Sequence, residues 1–255
     1  MAKVISITNQ KGGVGKTTTA INLSAALAEA AQKVLVVDFD PQINATAGFG
    51  VEIDEGDKTV LDAIRNNSLA EKAIIKNVCD NLDILPGSIE LSALETELLN
   101  NNQKEKQLKN VIDKVKNGYD YVIIDCPPAV GVLTVNALVA SDACIIPVQC
   151  EYFSLEGLNQ VMAAVEIVRS GMNPALKIEG LVFTMYDSRT RLGQDVVNVV
   201  KNNMKVNIFD TMIPRNVRLA EAPSNGMSIL QYDGGSVGAD RYRKLASEVL
   251  KGSEV

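Results

Sequence analysis

The sequence predicts an α/β fold, a mostly parallel twisted sheet with helices on both faces, built as a single domain from residues 1–255. Three observations carry this. Short apolar runs rich in Val and Ile recur along the chain. Helical stretches alternate with them. The first run empties into a Gly-rich loop that opens a helix. Continuous apolar runs are expected of strands covered on both faces. Their alternation with helices is the signature of a parallel sheet.

Taken in order, Val4–Thr8, Val34–Phe39, Leu82–Leu85, Tyr121–Ile124, Ala143–Val148, Ile178–Met185 and Asn207–Ile213 read as strands. Thr17–Ala31 is rich in Ala and Leu and reads as the first helix. Thr59–Asn66 starts with Thr59 and has Asp62 three residues later, a pairing that resembles a capping box. Ser88–Asn100, Gln103–Lys116, Ser154–Ser170, Leu192–Met204 and Ala239–Leu250 complete the helices. No linker rich in Pro, Gly or Ser divides the chain, and it shows no internal repeat or low-complexity tract. Only eight residues precede Asn9, so no helix-turn-helix extension is expected ahead of the loop, nor sequence-specific autorepression.

Composition removes several function classes. With 46% hydrophobic and 22% charged residues, the chain is neither disordered nor short of core. No apolar run reaches the roughly 20 residues of a membrane helix, and the N-terminus is too polar for a signal-peptide core. A cytoplasmic protein is expected. There is no histidine, so His-dependent triads are excluded. Cys79, Cys126, Cys144 and Cys150 form no C-x-x-C pair and read as small buried hydrophobes. The net charge of −6 argues against a nucleic-acid binder at first sight. Yet Tyr186–Arg218 holds six cations against three anions, a local +3 that leaves −9 for the rest. Such a face can meet phosphates on an otherwise acidic molecule.

The loop Asn9–Thr18 reads N-Q-K-G-G-V-G-K-T-T. Gln10 stands where the common phosphate loop has its first Gly, so the match is to the deviant K-G-G-x-G-K-[ST] variant. Gly12, Gly13 and Gly15 let the backbone wrap phosphate, with Val14 between them. The helix N-terminus at Lys16, Thr17 and Thr18 adds partial positive charge. Lys16 can reach the β- and γ-phosphates, and the Thr17 hydroxyl can ligate Mg²⁺. Lys11 has two readings on spacing alone: an arm leaning across a dimer onto a neighbour's nucleotide, or a solvated lysine.

Two strands end in acids. Val34–Phe39 leads to Asp38 and Asp40, and Tyr121–Ile124 to Asp125. Acids at the C-terminal ends of parallel strands sit where α/β sheets bind ligands. Asp125 matches a Walker B aspartate that holds Mg²⁺ through water. Asp40 is placed to orient the attacking water. Asp38 either anchors the loop or joins the Mg²⁺ shell.

The stretches Asn9–Thr18, Val37–Thr46, Asp120–Pro128, Ile146–Gly157 and Ile213–Ser224 together resemble the ParA/Soj-type partition ATPases of the MinD/ParA group. The resemblance spans essentially the whole chain. It implies the deviant phosphate-loop NTPase fold, ATP and Mg²⁺ as ligands, and an ATP-dependent sandwich homodimer. That dimer would bind double-stranded DNA without sequence preference, and a ParB-type partner would stimulate slow hydrolysis and release. The protein would then be cytoplasmic and nucleoid-associated. It further implies that Lys11 contacts nucleotide across the dimer, that Asp40 is needed for hydrolysis, and that Pro214 and Asn216 form the adenine pocket. Arg189 and Arg218 match positions implicated in DNA binding, with Lys201 and Lys205 as less certain additions. Tyr186 and Phe209 are the few aromatics nearby, so contact with duplex backbone fits better than base stacking.

Three other readings meet obstacles. A MinD-like membrane switch needs a basic amphipathic tail, whereas Asp240–Val255 carries acids and lacks a bulky apolar cluster. No stable membrane association is expected. A nitrogenase-reductase-like protein needs a cluster-ligating Cys pair, and Cys126 has no partner in the expected place. A metabolic ligase would need a substrate pocket that the sequence does not display.

Overall fold

In the computed structural model the described residues are 2–98, 103–129, 131–151 and 154–252. The strands are β1 (Lys3–Ile7), β2 (Val34–Asp38), β3 (Ile75–Cys79), β4 (Leu82–Leu85), β5 (Tyr121–Asp125), β6 (Ala143–Gln149) and β7 (Lys177–Thr184). The helices are α1 (Lys16–Glu29), α2 (Asn44–Gly48), α3 (Val60–Arg65), α4 (Leu91–Leu98), α5 (Gln107–Val115), α6 (Val132–Ala140), α7 (Ser154–Gly171), α8 (Arg191–Asn203), α9 (Val217–Glu221), α10 (Ile229–Tyr232) and α11 (Val237–Gly252).

One seven-stranded sheet runs β3-β4-β2-β5-β1-β6-β7, with only β3–β4 antiparallel. Because β1, β2, β5 and β6 lie inside it, every residue of β2, β5 and β6 is buried. Alternate side chains feed opposite faces. Ile5, Ile7, Val34, Val36 and Ile123 pack with α1, α10 and α11. Val4, Leu35, Val37, Val122 and Ile124 pack with α3–α6, while Cys144, Ile146 and Phe183 meet α7 and α8 on that same face. The predicted layering therefore holds. The parallel pairings carry the ends of β1, β2 and β5 to one edge: Ile7 pairs with Asp125, and Asp125 with Asp38.

The capping pattern before α3 is present, with the Thr59 N–H donating to Asp62 Oδ2 at 3.0 Å. Other expectations need correction. Asn207–Ile213 is not a strand. It runs beside β7 but makes only isolated bridges, Leu181 with Ile208 and Tyr186 with Pro214. The Asp210 and Thr211 amides donate instead to the Glu248 carboxylate of α11, at 2.8 and 2.9 Å, which breaks the ladder. The stretch Gln103–Lys116 opens as a 3₁₀ turn at Lys104–Lys106 before α5. Ser88–Asn100 is helical at Leu91–Leu98, and its last two residues lie outside the described ones. Strand β3 was not expected: it is short and half polar, with Asn77 at φ 57°. Helix α6 was not expected either, because its run VLTVNALVA is too apolar to show a helical stripe.

Gly50 and Gly226 pack backbone to backbone and tie α2 to the chain entering α10. Both have positive φ, and a Cβ on Gly226 would stand 2.6 Å from the Gly50 Cα. We expect Gly226→Ala to cost at least about 2 kcal/mol, from the left-handed backbone and the overlap combined. Thermal unfolding checks this; a melting temperature within about 2 °C of wild type would refute the close approach.

Candidate functional site

The site is built on the edge where β1, β2 and β5 end. The loop after β1 turns through left-handed Gly13 and Gly15, at φ 72° and 88°, conformations natural to glycine. Distant elements brace it. Asn9 Nδ2 donates to the Pro147 carbonyl at 2.6 Å, and Thr184 Oγ1 to the Val14 carbonyl at 2.7 Å. Val14 is buried, which pins the loop while Gly12 and Gly13 stay exposed.

Two adjoining cavities open there. One, about 260 Å³, is lined by Gly12, Gly13, Lys16, Thr17, Asp40 and Pro128 among others. The second, about 280 Å³, is lined by Pro214, Asn216, Leu219 and Tyr242 among others, and shares Gly15, Thr18 and Met185 with the first. The first is the more polar of the two. A larger hollow, about 790 Å³, lies at the opposite end of the strands between Lys33, Lys76 and Tyr119 and contains none of these groups.

Lys16 is 6% exposed and donates to the Lys11 carbonyl at 3.2 Å. Burial lowers its pKa, while Asp125, Cys126 and Asp40 oppose the shift. Asp125 is fully buried, and neither of its carboxylate oxygens has a hydrogen-bond partner. Burial, then the neighbouring Asp38, pushes its pKa well above the usual carboxylate range. The Thr17 hydroxyl pulls the other way without reaching bonding geometry. A donorless buried carboxylate facing a lysine and a hydroxyl fits a cation between them. Among the described residues no three Cys, Asp or Glu side chains gather into a metal cage. That suits Mg²⁺, which is commonly held by one or two protein groups together with waters and substrate phosphates.

The two readings of Asp38 are now separable. Its Oδ2 accepts from the Thr46 amide at 2.8 Å and the Thr46 hydroxyl at 2.7 Å, so its bonds go to the loop. Burial still pushes its pKa up to about 6, against those bonds. Asp40 is 4% exposed; its Oδ1 accepts the Gln42 amide at 2.9 Å, and its side chain borders the phosphate-loop cavity.

Lys11 turns away from both cavities. Its Nζ meets Gln149 Oε1 at 3.3 Å and Glu151 Oε2 at 3.2 Å, so in the single chain it is ion-paired rather than free. Arg189 and Arg218 lie on the exposed surface, outside the cavities. Asp187 grips Arg189 through two bonds of 2.9 and 2.7 Å, and Arg218 pairs with Glu221 at 3.0 Å. Lys201 and Lys205 are exposed, on and just after α8. Asn216 caps α9, its Oδ1 accepting the Arg218 amide at 2.8 Å. Thr184, Met185, Gln42, Asn44 and Pro128 also line or brace the site and were not anticipated. The end of the Ile178–Met185 run was the one signal for Thr184.

Known proteins share this chain's sequence and fold. Residues 2–178 match the family described as an AAA domain. The sporulation initiation inhibitor protein Soj of Bacillus subtilis is 49% identical over 249 residues, covering 98% of both chains. The chromosome-partitioning ATPase Soj of Treponema pallidum is 46% identical over 250 residues, again covering 98% of both chains. The chain belongs to the ParA/Soj family of partition ATPases. Solved structures share the fold. The Mycobacterium smegmatis cobyrinic acid a,c-diamide synthase, with bound ADP and magnesium, superposes with a TM-score of 0.87 at 34% identity, over 100% of this chain and 96% of that one. The cell division ATPase MinD of Pyrococcus furiosus gives 0.81 at 28%, over 98% and 99%. This ParA-type chain thus has the expected scaffold.

Burial lifts the folded-state pKa of Asp125 and Asp38 above the unfolded value, 3.8. Their protons therefore favour the fold at low pH, and that contribution is lost as pH rises, for Asp38 through about 6. In buffer without Mg²⁺ or nucleotide, Asp125→Asn should melt higher than wild type at pH 7.5, by roughly 2–4 °C per kcal/mol of relief. The gap should close near pH 4. A lower melting temperature at pH 7.5 would contradict the uncompensated charge.

Proposed function

We propose that this chain is an ATP-driven DNA-partition switch, and the observation that carries the reading is the orphaned Asp125 beside Lys16, Thr17 and Asp40, which line the loop cavity. Residues 11–18 cradle the phosphates, and Lys16 offers its ammonium to the β- and γ-oxygens. Pro214 and Asn216 border the space for adenine. Thr17 and Asp125, the latter through water, would hold Mg²⁺, which supplies neutralising charge at the β/γ-phosphate oxygens. Asp40 orients the attacking water. The products are ADP and phosphate.

ATP binding drives two chains face to face, and Lys11 leaves Glu151 to reach the partner's nucleotide. An ion pair as exposed as this one contributes little, so the exchange is inexpensive. Paired chains present two basic faces, with Arg189 and Arg218 on each, to one duplex. A ParB-type protein stimulates hydrolysis and release. The working site would be the cytoplasm, at the nucleoid.

Three observations weigh against the alternatives. Helix α11 uses Ala239, Tyr242, Leu245, Ala246 and Val249 to pack on the core, which leaves no apolar face for a lipid surface. Among the described residues no helix is long and apolar enough to cross a membrane. Cys126 is fully buried with its thiol pKa pushed up, unsuited to bridging a cluster between chains.

The deciding experiment measures ATP hydrolysis alone, with duplex DNA, and with DNA plus a ParB-type partner. Strong stimulation only by the last supports the reading, and a partner-independent rate rejects it. Lys16→Ala should weaken ATP binding at least about tenfold, since charged contacts are worth roughly 1.5–3 kcal/mol, and calorimetry reads this directly. Asp40→Ala should bind ATP but accumulate as the nucleotide-bound dimer.

Arg189 also has a distinctive expectation, because Asp187 neutralises it. Arg189→Ala should weaken DNA binding on every sequence, whereas Asp187→Asn should strengthen it and steepen the salt dependence. Electrophoretic retention at several salt concentrations tests the pair; equal retention of both variants would remove Arg189 from the interface.

A further inference from the structure

The loop that carries Asp40 is fastened from beneath by groups that touch neither cavity. Thr46, 1% exposed, sits in α2. Its amide and hydroxyl both donate to Asp38 Oδ2, at 2.8 and 2.7 Å. The same hydroxyl oxygen accepts the Gly87 amide at 3.0 Å. Asp38 Oδ1 in turn accepts the Asp40 amide at 3.3 Å. One hydroxyl thus joins the end of β2, the start of α2 and the segment leaving β4. Gly87 is what lets the three close together, since a Cβ there would stand 3.0 Å from both Asp38 Cγ and Ile43 Cγ2.

The fastened turn is strained. Ile43, a β-branched residue, sits at φ 49° and ψ 30°, in the left-handed region that such side chains avoid. The Ile43 amide donates to the Asp40 carbonyl, and the Gln42 amide to Asp40 Oδ1, both at 2.9 Å. The direction of the Asp40 carboxylate therefore depends on the Gln42–Ile43 backbone holding a conformation it would not choose. Such strain persists only where the surroundings over-determine it, and it gathers at sites where geometry matters to function.

We propose that Thr46, tied to Asp38 and Gly87, is a positioning residue for hydrolysis that holds the strained 40–46 turn and so aims the Asp40 carboxylate into the phosphate cavity. The proposal rests on the reading of Asp40 as the group that orients water. Thr46 touches no reacting atom; its effect runs through the turn.

The test uses the full chain and four variants. Thr46→Val keeps the shape and the amide bond to Asp38 but removes the hydroxyl. It should bind ATP within about twofold of wild type, keep its KM, and lose kcat by about 10²-fold, the scale of a misplaced catalytic group. Hydrogen exchange should accelerate at the 40–46 amides and at Gly87. Thr46→Ser should restore both kcat and protection. Gly87→Ala leaves the hydroxyl in place but pushes on Asp38 and Ile43, and it should show the same split of kcat from binding. It carries the test if Thr46→Val does not fold. Unchanged kcat, or unchanged exchange at 40–46, in the folded variant overturns the proposal. Asp40→Ala run alongside tells the two readings apart. If Asp40→Ala is inactive while Thr46→Val is fully active, only the Thr46 proposal falls. If Asp40→Ala hydrolyses at the wild-type rate, both fall.

Discussion

Asp125 closes β5 between Ile7 and Asp38, fully buried, with no donor to either oxygen. A carboxylate at that depth costs several kcal/mol unless something positive meets it. Lys16 is buried beside it, and Asp125 only partly offsets the burial that lowers the Lys16 pKa. Neither group is comfortable alone, and together they leave one more place for charge. Gly12, Gly13 and Thr17 line the cavity beside that place. The fold concentrates unfinished electrostatics where a ligand can complete them.

The arrangement follows from strand order. With β1 between β5 and β6, and β2 beyond β5, three strand ends meet at one edge. Residues far apart in the chain become neighbours there. Thr184 reaches the Val14 carbonyl across 170 residues, and Asn9 reaches Pro147 across 138. These long-range bonds make the loop rigid where its own glycines would leave it free. Stiffness around a charged centre is what electrostatic preorganisation requires.

What could be read in advance followed from how local each signal was. The runs Val34–Phe39 and Tyr121–Ile124 announced themselves because both faces of those strands are covered. The glycine turn between β1 and α1 was legible because Gly, Lys and Thr fall at a fixed spacing within ten residues. Asp38 was harder. Spacing brings it to the strand end but not to Thr46, because hydrogen-bond partners are chosen by the tertiary fold. Lys11 was undecidable for the same reason, its counter-ion being Glu151. Asn207–Ile213 had a strand's composition, and one glutamate on α11 took its amides. Helix α6 was hidden by being buried nearly all round, which erases the periodicity that reveals surface helices.

The margins of the sheet have a consequence of their own. At one margin β3 is interrupted by left-handed Asn77 and a register shift between Ile75 and Cys79, with Lys76 and Asn77 exposed. At the other, the chain around Ile208 runs alongside β7 and occupies part of its free amides and carbonyls. Open, regular margins are the usual route by which β proteins fuse into fibres, and irregular or covered ones resist it. Here neither margin offers a clean template for another strand. Copies of this molecule can therefore be crowded together without their sheets merging.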